Sequence, residues 1–172
     1  MIYFVQIEIS GGSKGMFLSQ RKYVLDLLKE TETIRCLPAA TPIEQNHCFS
    51  KDVGTLVDKK CYHILVGRLL YLSHTQPDVA YAVSAVSQFM DDPRSSHMNV
   101  AYRILRYHNS SPRKGSFIHY KQGSMQVECY TDANWAGSLD DRRSTSGYCT
   151  FVGGNLVAWR SKKAKCCSTV YC

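Results

Sequence analysis

The sequence predicts an α+β chain, and three observations carry that prediction. Three stretches between residues 57 and 108 repeat apolar residues at helical spacing, while short β-rich runs gather towards the two ends. Between the helical middle and the later β-rich runs lies SSPRKGS at 110–116, a basic, turn-rich segment that reads as a domain boundary. The chain has 172 residues, of which 44% are hydrophobic, enough for a packed core and too many for disorder.

Taken in order, residues 2–9 alternate in part and are rich in β-formers, GGSKG at 11–15 makes a turn, and Gly15-Met16-Phe17-Leu18 resumes, so a β-hairpin is expected over 1–20. Ser19 is placed to cap a helix whose stripe is Tyr23, Val24, Leu27 and Leu28. The stretch from Cys36 to Thr55, with Pro38 and Pro42, reads as a connector. Three helices follow. The first, about 57–73, carries Cys61, Leu65, Leu69 and Leu72 on one face. The second opens at Pro77-Asp78 and repeats Val79, Val83, Val86 and Met90. The third, about 95–108, sets Val100, Ile104, Leu105 and Tyr107 beside Arg103 and Arg106, with Pro93 separating it from the second. All three stripes read as helix-packing faces. Beyond them, Phe117–Tyr120 with Val127–Thr131, then Tyr148–Val152 and Leu156–Trp159, predict a β-meander, its last turn at Gly153-Gly154-Asn155.

The formal net charge of +7 favours polyanionic partners, although a protein that is merely basic would show the same balance. No run approaches the ~18 apolar residues of a membrane span. The start, MIYFVQIEIS, lacks the length and positive flank of a secretory signal. A cytoplasmic or nuclear setting and no membrane partner are therefore expected. The eight cysteines form no C-x-x-C pair and read as reduced, passive thiols. The histidines show no spacing that demands a metal or catalytic site. There is no internal repeat.

The densest motif is YTDANWAGSLDDRRSTSGYCTFVGG at 130–154, in which Asp132 closes a run of β-formers. Together with SQRKYVLDLLKET at 19–31, ATPIE at 40–44, LVGRLLYLSHTQPDVAYAVSAVSQFM at 65–90, RILRY at 103–107 and the continuation to RSKK at 160–163, it makes the chain resemble the Pol polyprotein of Ty/copia-type retrotransposons, plant elements in particular. The resemblance implies a reverse-transcriptase palm-end hairpin over 1–20, thumb and connection helices over 21–110, and a partial RNase H-like domain over 111–172. The family's YVDD-like polymerase motif is expected upstream of Met1, which leaves no reverse-transcriptase active site here.

By the same resemblance Asp132 matches the first catalytic carboxylate of RNase H. Its role would be to bind Mg²⁺ in a two-metal site acting on the RNA strand of an RNA·DNA hybrid. The family supplies the second acid from a segment like SSAEAEY, where this chain reads SKKAKCCSTVYC over 161–172. Asn134 and Gln6 stand where the family has Asp and Gly, and His108 where it has the Leu of RYLKG. A truncated, drifting copy is expected, catalytically incomplete alone and weak in Mg²⁺.

No acid within the chain replaces the missing partner. Asp140 and Asp141 adjoin Arg142 and Arg143 and read as a solvated loop. Glu128 shares the parity of Asp132 but lies roughly 13 Å away at the ordinary strand rise, too far to share a metal. The cations fare better: Arg142, Arg143, Arg160, Lys162 and Lys163 gather around the meander, with Ser144 among them, as candidate contacts to nucleic-acid phosphates. The same residues also fit a solvated surface. Trp135 and Trp159 could stack on bases, but they read first as core aromatics. The expectation is thus a Pol fragment whose partners are RNA·DNA hybrid, other nucleic acid or other Pol segments. A non-enzymatic basic binding module and a retroelement relic without function stand as alternatives.

Overall fold

The computed structural model describes residues 2–44, 54–112, 114–120, 125–135 and 143–163. They mix helix and antiparallel sheet, as an α+β chain should, and divide into two compact units, Met1–Gln122 and Gly123–Cys172.

The first unit begins with three strands, β1 (Ile2–Phe4), β2 (Ile7–Gly12) and β3 (Gly15–Ser19), paired antiparallel in that order. The expected single strand over 2–9 is broken at Val5-Gln6. Both residues have positive φ, 47° and 61°, which makes a two-residue hairpin turn of the kind that favours Asn-Gly. A β-branched Val is poorly suited to that conformation. A glycine at position 6, as the resemblance implies, would relieve that position. The Tyr71 hydroxyl donates to the Val5 carbonyl oxygen.

Four helices follow: α1 (Arg21–Glu30), α2 (Lys59–Ser73), α3 (Pro77–Val86) and α4 (Ser95–Ser110). Ser19 accepts from the Arg21 N–H at 3.2 Å, one residue ahead of the helix-capping position, which Gln20 occupies. Asp58 caps α2, its carboxylate accepting from the N–H groups of Lys60 and Cys61 at 3.1 and 3.2 Å. Pro77 stands in the first turn of α3, where its missing N–H has no partner to lose. The core is the meeting of the four stripes: Val24, Leu27 and Leu28 of α1; Leu65, Leu69 and Leu72 of α2; Val79, Val83 and Val86 of α3; Val100, Ile104 and Leu105 of α4. Two positions differ from expectation. Cys61 is exposed, and its neighbour Tyr62 is buried instead, donating to the Val86 carbonyl at 2.7 Å. Burial pushes that phenol's pKa well up.

His108 is also buried, at 1% exposure, where the helix stripe would take an aliphatic residue. Neither ring nitrogen finds a hydrogen-bond partner among the described residues. Desolvation pulls its pKa from the ordinary 6.5 down to about 4; the nearby Asp78 carboxylate works against that and Lys114 with it. Above it, Tyr107 donates to Asp78 at 2.8 Å and Lys114 lies 4.0 Å from the centre of the Tyr107 ring.

The run expected to open the meander does something else. Strand β4 (Gly115–His119) pairs antiparallel with β3, so that it becomes the fourth strand of the first sheet, in the order β1-β2-β3-β4. Phe17 lies opposite Phe117, and a glycine stands near each end of the pairing, Gly15 opposite His119 and Gly115 opposite Ser19. A Cβ at either glycine would overlap a carbonyl oxygen of the facing strand. The two strands approach that closely only because both positions lack side chains.

Candidate functional site

The second unit is a three-stranded antiparallel sheet, β5 (Val127–Asn134), β6 (Thr145–Val152) and β7 (Asn155–Lys163), in that order. Gly153 and Gly154, both at positive φ, make the turn between β6 and β7 that the sequence announces. None of the unit's described residues is buried.

Register sorts its side chains, because successive residues of a strand point to opposite faces. Asp132 pairs with Gly147, and Gly147 with Ser161. One pleat along on the same face lies Tyr130–Cys149–Trp159, and beyond it Glu128–Phe151–Leu156. Tyr130 and Phe151 meet edge to face with centroids 5.9 Å apart. This face is aromatic and apolar, with Asp132 towards one end. Trp159 is half-buried on it, whereas Trp135, expected in the core, is 77% exposed.

The opposite face is polar and basic. Its rungs are Thr131–Tyr148–Arg160 and Ala133–Ser146–Lys162. These six residues line an open groove, with Asp132 and Gly147 between them in the strands. Arg160 and Lys162 are exposed and form no ion pair among the described residues. The sequence places Asp132 and the β7 cations in one neighbourhood; the structure sets Asp132 on one face and Arg160 and Lys162 on the other. Lys163 returns to the Asp132 face, on the rung of Asn134 and Thr145. Arg143 and Ser144 lie half-buried ahead of β6, already engaged in contacts of their own. Arg142, with Asp140 and Asp141, lies outside the described residues.

The reason for this sorting is one residue. Val152 pairs with Asn155 and Phe151 with Leu156, but Thr150 pairs with Ala158, so Val157 is an extra residue in β7. Without that bulge Arg160 would oppose Gly147 and share the face of Asp132.

The carboxylates do not make a metal centre among the described residues. The Asp132 Oδ1 accepts from the Ala133 N–H at 2.9 Å, and Glu128, two pleats away, accepts from the Tyr130 hydroxyl at 3.1 Å. That bond raises the Tyr130 pKa. No group of three or more His, Cys, Asp or Glu side chains that could hold a metal occurs among the described residues. A two-metal site needs several hard anionic ligands, and the described donor set does not fit one. Cys36, Cys61, Cys129 and Cys149 are free thiols. No described helix is long and apolar enough to cross a membrane.

No family model matches the chain, and no solved structure matches it. Curated relatives do. The chain is 42% identical over 164 residues to the retrovirus-related Pol polyprotein from transposon RE1 of Arabidopsis thaliana, a match covering 95% of this chain and 11% of that protein. It is 33% identical over 162 residues to the Pol polyprotein from transposon TNT 1-94 of Nicotiana tabacum, covering 90% and 12%. An uncharacterized mitochondrial protein of Arabidopsis thaliana is 36% identical over 161 residues, covering 94% of this chain and 67% of that one. The chain thus spans about a tenth of the length of the Pol polyproteins it matches. With motif order and alignment agreeing along nearly its whole length, the chain belongs to the Pol polyproteins of Ty/copia-type retrotransposons.

Proposed function

We propose that the chain is the stretch of Pol that carries the reverse-transcriptase thumb and connection and the opening strands of RNase H, and that its own part is to hold nucleic acid rather than to cut it. One observation carries the reading: the β7 cations lie in an open groove on one face, while Asp132 stands on the other with no second carboxylate beside it among the described residues. Arg and Lys contacts to phosphate release counterions and give affinity that ignores sequence and falls steeply with salt. The hydroxyls of Thr131 and Ser146 add hydrogen bonds to phosphate or to a ribose 2′-OH. A net charge of +7 supports the same partner. RNA·DNA hybrid is the substrate that the family implies, and Mg²⁺ the ion; hydrolysis would draw on carboxylates other than those described here.

The test is retention of a labelled RNA·DNA hybrid by anisotropy across increasing salt, with cleavage in Mg²⁺ followed in the same tubes. Binding should weaken linearly in log–log form, and Arg160→Gln with Lys162→Gln should each lower the slope by about one. Neither the native chain nor Asp132→Asn should cleave. Cleavage lost in Asp132→Asn would overturn the division of labour, and affinity indifferent to salt would overturn the electrostatic basis.

A relic without function is the second reading, favoured by Val5 and Gln6 in a turn made for glycine and by a partnerless His108 in the core. Absence of both cooperative unfolding and hybrid retention would establish it.

A further inference from the structure

The basic groove has a floor as well as a rim. Tyr148, at the middle of β6, is 44% exposed and makes no ring contact among the described residues. Among the paired residues of the sheet it is the aromatic of that face, since Tyr130, Phe151 and Trp159 belong to the other, while Trp135 lies one residue past the end of β5. Its cross-strand neighbours are Thr131 and Arg160, and the rungs on either side hold small residues: Ala133 and Ser146 below, Cys129, Thr150 and Ala158 above. Apart from Lys162 on β7, nothing bulky in those rungs adjoins the ring. Arg160 and Lys162 stand on the β7 side, one pleat repeat of ~6.8 Å apart.

A ring flanked by small residues and bordered by two cations suits an unstacked base with its phosphates alongside. Aromatic side chains stack on any base, because every base has a π-face, and cations beside them track the backbone. A duplex keeps its bases paired inside and offers a sheet only phosphates, sugars and groove edges. The floor ring would be idle against it.

Resting on the reading of this face as the nucleic-acid groove, we infer that its ligand is an unpaired stretch of nucleic acid, one base lying on Tyr148 and the adjoining phosphates held by Arg160 and Lys162. Pairing state is then what the groove reads, and base identity is not.

The experiment titrates the full chain into a labelled oligothymidine and into an RNA·DNA hybrid of equal length at one salt concentration. The single strand should bind more tightly. Tyr148→Thr, which keeps a strand-forming side chain, should weaken single-strand binding roughly tenfold and leave the hybrid and the salt slope unchanged. Tyr148→Phe should bind as the native chain does. Tyr148→Trp reports the contact even if Tyr148→Thr fails to fold: a stacked base would quench its fluorescence beyond any change seen in the native chain, which already carries Trp135 and Trp159. Equal single-strand affinity in Tyr148→Thr and the native chain, with Arg160→Gln still weakening binding, would overturn the stacking inference and leave the electrostatic groove. Affinity unmoved by Arg160→Gln and Lys162→Gln together would overturn the groove itself.

Discussion

His108→Leu is the substitution for which the structure allows a magnitude to be worked. The imidazole is buried against the α3–α4 core with both nitrogens unpartnered among the described residues, and its pKa falls from 6.5 to about 4. Above pH 6.5 the ring is neutral folded and unfolded, and its protonation does not affect stability. As pH falls below 6.5 the unfolded chain takes up a proton that the folded chain refuses, so stability is lost progressively until about pH 4, where the folded ring also protonates. The full loss is about 3 kcal/mol, and the part between pH 7 and pH 5 about 2 kcal/mol. Leu is of similar volume and has no polar atom to strand, so at pH 7 the variant should already be more stable by about 1–3 kcal/mol. Urea unfolding followed by helical circular dichroism reads the first unit, which holds the four α-helices found among the described residues. Contributions common to the two proteins cancel in the difference between them. That difference should widen by about 2 kcal/mol from pH 7 to pH 5. A difference constant over this range would refute the reasoning, because it would mean that the imidazole reaches water or a partner in the folded state.

Val5→Asn with Gln6→Gly should stabilise the first unit by about 1–2 kcal/mol, since both residues then suit positive φ; an unchanged urea midpoint would deny the turn. Gly115→Ala should destabilise by more than about 2 kcal/mol through overlap with the facing strand, and tolerance of that Ala would mean that β4 does not lie against β3. Tyr62→Phe should lower stability by about 1–2 kcal/mol by stranding the buried Val86 carbonyl, measured in the same unfolding assay. Deleting Val157 should move Arg160 and Lys162 to the face of Asp132 and abolish the groove, so that hybrid retention falls although the strand remains; retention at the native level would place the binding surface elsewhere.

The helical middle was legible because apolar spacing decides it: the stripes on α2, α3 and α4 sit where the periodicity put them except for Cys61, which is exposed, and Met90, which lies past the end of α3, and Pro77 and Pro93 mark boundaries that follow from proline's missing N–H. Within a stripe the sequence is less sharp. Cys61 and Tyr62 are adjacent, and both suit a helix face; the hydroxyl bond to Val86 decides for the tyrosine, and that bond depends on α3. The break at Val5-Gln6 carries no turn residue at all, so no local signal marks it. The placement of β4 did leave one. Gly15-Met16-Phe17-Leu18 and Gly115-Ser116-Phe117-Ile118 share a glycine–x–phenylalanine–aliphatic order, and the two runs pair with phenylalanine opposite phenylalanine. Proximity along the chain to Val127–Thr131 argued for the meander, and close packing of two glycine-bearing strands outweighed it.

The second sheet shows why the candidate site could be listed by residue but not assembled. Each strand's parity is plain in the sequence, and the Gly153-Gly154 turn fixes where β7 begins opposite β6. Counting on from that turn with regular pairing puts Arg160 opposite Gly147, on the rung of Asp132, as a cation beside that carboxylate. The bulge at Val157 shifts the count by one, and a shift of one exchanges the faces of every residue beyond it. Arg160 and Lys162 leave the carboxylate and gain Tyr148 and the small residues around it. The cations thereby form a surface separate from the carboxylate, so the proposed grip on nucleic acid does not depend on a complete set of metal ligands among the described residues.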